Sequence, residues 1–342
     1  MLLVAAVAIV IAFFFTFTNG FQDASAIAAT FIASRSATPR QGIIMVAAMA
    51  LLGAIFGGSA VAFTLIGLIS IESDVETLFV LVTALVAATA WNLVAWRYRL
   101  PSSSTHALIG GLVGAGIAAA GPGSVNWGVG DLLAPPHELN GLALILVFLV
   151  VSVLAGFFGS FVLQKASALL LRNARRGINR SIIRFNWVAA AMMSFFNGAN
   201  DTQKQLGVIA LVLVAAGESA TIETPFWARA VLALLIAAGT LSGGWRIMTT
   251  LGRRIFEVEP IHSFDSQVSS GAAIALSTVA GAPISSTHII STSVIGVGAA
   301  ENPRKVRWSV GREIVIAMVM TIPVTMVIAG ALYFIISPFT GV

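Results

Sequence analysis

The chain has 342 residues, 58% of them hydrophobic and only 10% charged, with a mean hydropathy of +0.95 and a net charge of +5. A soluble domain carries about 25% charged residues, so a water-exposed globular surface is excluded; disulfides, thiolate metal sites and cysteine nucleophiles are excluded too, because cysteine is absent. At about 20 apolar residues per span, this length holds about ten to twelve transmembrane helices and no soluble catalytic domain, so the expected class is an all-α integral membrane protein that is not an enzyme.

Apolar blocks lie near 2–34, 42–70, 78–96, 101–121 and 141–171, then near 185–216, 226–244, 268–282, 283–300 and 313–337. Each is apolar all round, as lipid-embedded helices are. The first runs from Met1 into the Phe-rich stretch 13–17 without a basic n-region or a small-residue cleavage site, and reads as a retained span rather than a signal peptide. At about 1.5 Å per residue, blocks 2–34 and 185–216 exceed a hydrocarbon core of about 30 Å. Each is expected to tilt, break or double back.

Charge sorts the loops. Basic residues gather at Arg35 and Arg40, at Arg97 and Arg99, in the linker 172–184 (Arg172, Arg175, Arg176, Arg180, Arg184), at Arg246, Arg253 and Arg254, and at Arg304, Lys305, Arg307 and Arg312. Acidic residues gather at Glu72, Asp74 and Glu76, at Asp131 and Glu138, and at Glu218 and Glu223. Basic loops mark the cytoplasmic side of a membrane protein, which accounts for the positive charge without nucleic acid as a partner. With each block crossing once, both termini fall outside a cytoplasmic (plasma) membrane that the chain spans many times.

Two motifs recur in order. Asn19-Gly20-Phe21-Gln22-Asp23 matches Asn197-Gly198-Ala199-Asn200-Asp201, and Pro101-Ser102-Ser103-Ser104-Thr105-His106 matches Pro283-Ile284-Ser285-Ser286-Thr287-His288. The chain therefore reads as a first repeat over 1–171, a basic cytoplasmic linker over 172–184 and a second repeat over 185–342. Five crossings in each half give the halves opposite orientation. Inverted-topology repeats with broken helices and a shared site at the midplane are a recurring plan among secondary transporters.

Asp23 and Asp201 sit within apolar blocks, where a carboxylate costs about 2.5–3.5 kcal/mol on insertion scales. Each either caps a helix break or binds an ion or substrate, and one break can serve both ends. Asn19, Gln22 and Ser25 flank Asp23; Asn197, Asn200 and Gln203 flank Asp201. These are hard oxygen ligands suited to Na⁺, and Gly20 and Gly198 allow the backbone to leave helical geometry. Lys204, three residues after Asp201, can pair with it or face an anionic substrate; the aligned position in the first half is Ala26.

The second motif reads as a helix start, with Pro in the first turn and Ser or Thr capping free amides. A helix N-terminus with hydroxyls is an anion site, and two such ends aimed at the midplane would cradle a tetrahedral oxyanion. His106 and His288 either carry protons or hold the break by bonding a backbone carbonyl. The spacings Gly110/Gly114 and Gly53/Gly57 read as helix packing.

At these residues the chain resembles the inorganic phosphate transporter (PiT) family, and within it the bacterial low-affinity phosphate carriers. The resemblance rests on segments 19–26, 197–204, 101–106 and 283–288, together with Gly244-Trp245-Arg246 and Thr249-Thr250-Leu251-Gly252. It implies symport of phosphate with Na⁺ or H⁺, alternating access, a homodimer in the bilayer and no cofactor beyond the coupling cation. It further implies a phosphate cradle of Ser103, Ser104, Thr105, Ser285, Ser286 and Thr287, with Lys204 on the substrate. Asn19, Gln22, Asp23, Asn197, Asn200, Asp201 and Gln203 would then serve the coupling ion, with Asp23 and Asp201 essential. Gln22 and Ser25 stand where the sodium-type pattern has Asn, and the long central loop of some relatives is missing. Sulfate is the alternative substrate, and a divalent metal accompanying phosphate is left open. An ion channel and an intramembrane hydrolase built on Ser103, His106 and Asp23 are the readings from other classes; the chain lacks the Gly-x-Ser-x-Gly and His-Glu-x-x-His signatures of the latter.

Overall fold

A computed structural model describes the chain apart from residues 72, 73, 99, 101, 136, 176, 244–254 and 340–342. The side chains of Ala24, Ser25, Gly243 and Phe339 also lie outside the described part, as do Glu72, Arg99, Pro101, Arg176, Arg246, Arg253 and Arg254 and the stretches 244–246 and 249–252 of the family resemblance.

The described residues form twelve α-helices, three short 3-10 turns and no strand. In chain order the helices are α1 (Leu2–Ala33), α2 (Pro39–Phe56), α3 (Ala60–Ile66), α4 (Asp74–Tyr98), α5 (Ser104–Ala120), α6 (Val129–Leu133), α7 (Gly141–Leu170), α8 (Ile178–Ala215), α9 (Phe226–Gly243), α10 (Pro260–Val279), α11 (Ser286–Glu301) and α12 (Trp308–Ile336). Among them α1, α2, α4, α7 and α12 are each long and apolar enough to cross a membrane alone. The outward faces of α7 and α12 are Leu146, Val150, Leu154 and Phe158, and Val315, Val319, Val327 and Phe334, all exposed. An apolar exterior of this kind faces lipid, and the chain is a multi-pass membrane protein.

The breaks fall elsewhere than the glycines suggest. Helices α1 and α8 run unbroken through Gly20 and Gly198, over 32 and 38 residues. The missing side chains serve close approach: a Cβ on Gly20 would meet the Ile236 carbonyl oxygen of α9, and one on Gly198 the Ala50 carbonyl oxygen of α2. Gly53 and Gly57 pack in the same way against Phe195 and Ala199, and Gly110 and Gly114 against Ile322 and Met326, so their spacing does serve packing. The block 42–70, expected as one span, is interrupted instead. Gly58 at φ +85° turns the chain between α2 and α3, a conformation that suits glycine. The backbone groups freed there are met by side chains from neighbouring helices. Gln203 donates to Gly57 O at 2.7 Å and accepts from Val61 N at 2.8 Å. Arg229 donates to Gly58 O at 2.7 Å and to Ser59 Oγ at 2.6 Å.

Nor does every block cross once from face to face. Beyond α4 the chain doubles back, and Trp91 Nε1, well inside α4, donates to Ser102 Oγ at 2.7 Å. Helix α5 thus begins deep in the molecule, where Ser102, Ser103 and Ser104 are all buried. The second half repeats the device. Val279, at the end of α10, is 80% exposed, while Ile284, Ser285 and Ser286 are buried. At about 1.5 Å per residue, α5 and α11 are helices of about 25 Å whose N-termini start at the centre. Apolar packing divides into two main clusters, one around α4, α5 and the C-terminal part of α8, the other around α10, α11 and the C-terminal part of α1. The polar side chains described next lie at the seam.

Candidate functional site

Spacing on two helices builds half of the site. Asn19, Gln22 and Asp23 share one face of α1, and Asn197, Asn200, Asp201 and Lys204 share one face of α8, because residues three and four apart stack on a helix. All seven are at most 4% exposed. The starts of α5 and α11 supply the other half. Ser103 Oγ accepts from His106 N at 3.3 Å and Ser285 Oγ accepts from His288 N at 3.4 Å, the same N-cap twice. The capping bonds occupy Ser103 and Ser285, while Ser104 and Ser286 sit in the first turns, next to the free amides.

The two helix ends meet. Thr105 Oγ1 donates to Ile284 O at 2.7 Å, and the rings of His106 and His288 lie edge to face, 5.0 Å between centroids. Each end also reaches a carboxylate. Thr287 Oγ1 donates to Asp23 Oδ1. Lys204 Nζ donates to Asp201 Oδ1 at 2.6 Å, to Thr105 Oγ1 at 2.5 Å and to Ile284 O at 3.1 Å. Asn197 Nδ2 donates to Asp201 Oδ2 at 3.0 Å. One small cavity opens here, lined by Gly20, Asp23, Asn197, Ile236 and Thr240 among others. Near it, both amide atoms of Asn19 and the amide oxygen of Asn197 are buried with no hydrogen-bond partner among the described residues.

Thirteen of the fourteen expected site residues converge on this centre, and several of them are hydrogen-bonded to the protein itself. Gln203 is the exception: its amide braces the α2–α3 junction. Asn200 holds the segment before α11, donating to Thr278 Oγ1 at 3.0 Å and to Ala282 O at 3.1 Å. Gln22 Nε2 donates to Ser102 O at 3.2 Å and so steadies the approach to α5. Lys204, expected on the substrate, has its three N–H donors committed to protein oxygens. Sequence reasoning missed the Ile284 carbonyl, which no side-chain pattern announces, and the Trp91–Ser102 brace, which an indole eleven residues before a serine-rich turn could have suggested. Among the described residues no group of three or more His, Asp or Glu side chains is placed to hold a metal ion.

The family profile described as "Phosphate transporter family" matches residues 19–183 and 171–329. A protein named "Probable low-affinity inorganic phosphate transporter" from Bacillus subtilis (strain 168) is 33% identical over 98% of this chain and 98% of its own length. The chain belongs to the phosphate transporter family. A protein of the same name from Rhizobium meliloti (strain 1021) is 35% identical over 95% of this chain and 94% of its own. A solved structure titled "The sodium-dependent phosphate transporter" superposes with a TM-score of 0.87 at 24% identity, covering 98% of this chain and 99% of that one. This likeness shows that the chain shares the fold of that transporter. In this member of the phosphate transporter family, the duplicated motifs meet at one buried centre.

Proposed function

We propose that the protein is a secondary active symporter that carries inorganic phosphate across the cytoplasmic membrane, coupled to Na⁺ or H⁺, by alternating access. The observation that carries this reading is the meeting of the α5 and α11 N-termini at a buried centre between two carboxylates. Charge bookkeeping supports symport. Two carboxylates, one ammonium and two helix N-termini, each worth roughly half a positive charge, bring the site near neutrality before substrate arrives. Phosphate then adds one or two negative charges at a place from which water is largely excluded, and a cation must travel with it. The free amide groups and the hydroxyls of Ser104, Ser286, Thr105 and Thr287 would hold the oxyanion. Asp23, with the amides of Asn19 and Asn197 beside it, would hold the coupling cation.

The paired contacts support two inverted repeats, over 1–171 and 185–342 with the linker 172–184 between. Thr287 meets Asp23 as Thr105 meets Asp201 through Lys204, and Gly20 seats α9 as Gly198 seats α2. Rocking of one bundle against the other would then alternate access to the shared centre; a homodimer in the bilayer is the assembly that goes with this reading. Phosphate is favoured over sulfate because phosphate at neutral pH still bears a proton that it can donate to a carboxylate. Uptake of labelled phosphate into proteoliposomes, with unlabelled phosphate and sulfate as competitors, tests the assignment. Competition by phosphate alone is expected, and equal competition by sulfate would overturn the substrate choice.

A further inference from the structure

The two carboxylates hold matching positions in the two motifs but have different partners, Asp201 accepting from Asn197 Nδ2 as well as from Lys204. Asp23 meets the hydroxyl of Thr287 directly. Asp201 meets the corresponding hydroxyl, on Thr105, only through the ammonium of Lys204. The neighbours of that ammonium are a carboxylate oxygen, a hydroxyl and the Ile284 carbonyl at the start of a deep helix. Three oxygens of these kinds form the donor set that hard monovalent cations take from proteins. Lys204 is 1% exposed, so the whole side chain is folded inward to deliver one positive charge to that spot.

The first half has the same scaffold without the tether. The position aligned with Lys204 is Ala26. Asp23 borders a cavity shared with Asn197 and Thr240, and the fully buried amide of Asn19 has both polar atoms without a hydrogen-bond partner among the described residues. One carboxylate therefore has a built-in counter-charge, and the other, among the described residues, has no ion pair with a cation of the protein's own.

We propose that Lys204 is a tethered cation. Its ammonium stands permanently in the second half where a diffusible cation stands beside Asp23 in the first, and the protein couples one cation fewer per phosphate than it would with both places open. The inference rests on the symport reading above and makes the two halves unequal by design: one half transports its cation and the other keeps it. Because all three N–H donors are used within the protein, Lys204 acts on substrate through charge and through the position of Thr105, as a positioning residue.

The test uses the full chain, purified in detergent and reconstituted. Lys204→Ala gives the second half the Ala26 arrangement. At low Na⁺ its phosphate uptake should fall by at least about tenfold, because Asp201 loses a buried partner. Raising Na⁺ should restore uptake, with the apparent order in Na⁺ and the charge moved per phosphate each one higher than in wild type. Lys204→Arg keeps a positive charge and should keep the wild-type order. In detergent, Na⁺ should raise the melting temperature of Lys204→Ala by more than that of wild type. An unchanged order in Na⁺, or no activity at any Na⁺ concentration with no extra thermal shift, overturns the proposal. Lys204→Ser, which adds a hydroxyl to the opened oxygen set, carries the same expectations if Lys204→Ala is poorly produced. Recovery of folded protein only in Na⁺ buffer supports the tether, and loss of both variants regardless of Na⁺ counts against it. If wild type itself moves no phosphate, the symport reading fails, while the Na⁺-dependent thermal shift still decides the role of Lys204.

Discussion

Asp23→Asn and Asp201→Asn remove the same charge from matching positions, yet they should differ in stability. Asp201 is 1% exposed and its main partner is an ammonium at 2.6 Å that is itself 1% exposed. Neutralising Asp201 leaves that ammonium buried without its counter-charge, and breaking a buried ion pair by removing one partner costs about 3–5 kcal/mol. Asp23 loses a bond from a neutral hydroxyl, where a hydrogen bond to a charged group contributes about 1.5–3 kcal/mol, and sheds the cost of a buried carboxylate in return. Asp201→Asn should therefore lower the temperature at which half the detergent-purified protein ceases to elute as a monodisperse species, and Asp23→Asn should lower it far less. Both should abolish phosphate uptake. Adding Lys204→Met to Asp201→Asn removes the stranded ammonium, so the double variant should recover most of the lost stability while staying inactive. Equal losses for the two single variants, or a double variant no more stable than Asp201→Asn, would refute the pairing as drawn.

Other side chains give separable expectations. Gln203→Leu unties two backbone groups at the α2–α3 junction and should cost about 2–4 kcal/mol of thermal stability, while the KM for phosphate in the surviving protein stays within about twofold. Ser103→Ala and Ser285→Ala each lose an N-cap and should lower stability by about 0.5–2 kcal/mol. Ser104→Ala and Ser286→Ala should instead raise the KM for phosphate severalfold with little change in melting temperature, so uptake kinetics and melting curves on the same preparations separate the two pairs. Gly198→Leu drives a side chain into the α2 backbone near Ala50 and should exceed the usual overpacking cost of about 1–3 kcal/mol; loss of monodisperse protein is the readout, and normal yield would contradict the close crossing.

The all-helical class was legible because lipid leaves so little choice: a chain with 10% charged residues gathered into long, continuously apolar blocks satisfies its backbone within helices rather than in the alternating strands of a barrel. The centre was legible because Asp23 and Asp201 are costly where they stand, and a second copy of each motif multiplied the signal. Helix continuity was not. Glycine serves both a break and a close crossing, and only the presence of Ile236 and Ala50 against Gly20 and Gly198 decides between them. The polar amides were equally ambiguous: Gln203 and Asn200 have the chemistry of ion ligands, but once α3 and the turn before α11 are in place, freed backbone groups claim them. Lys204 illustrates the same limit. Its partner Asp201 was readable at three residues' distance, whereas Thr105 and the Ile284 carbonyl lie 99 and 80 residues away and come together only through the fold.

Phosphate symport through this buried centre is tested most directly by labelled phosphate uptake into proteoliposomes with Na⁺ and pH gradients imposed one at a time. Saturable accumulation above the external concentration is expected under at least one inward cation gradient, with collapse when the gradient is dissipated and none with Asp23→Asn. Uptake that only equilibrates phosphate whichever gradient is applied, or accumulation that Asp23→Asn leaves intact, would contradict it.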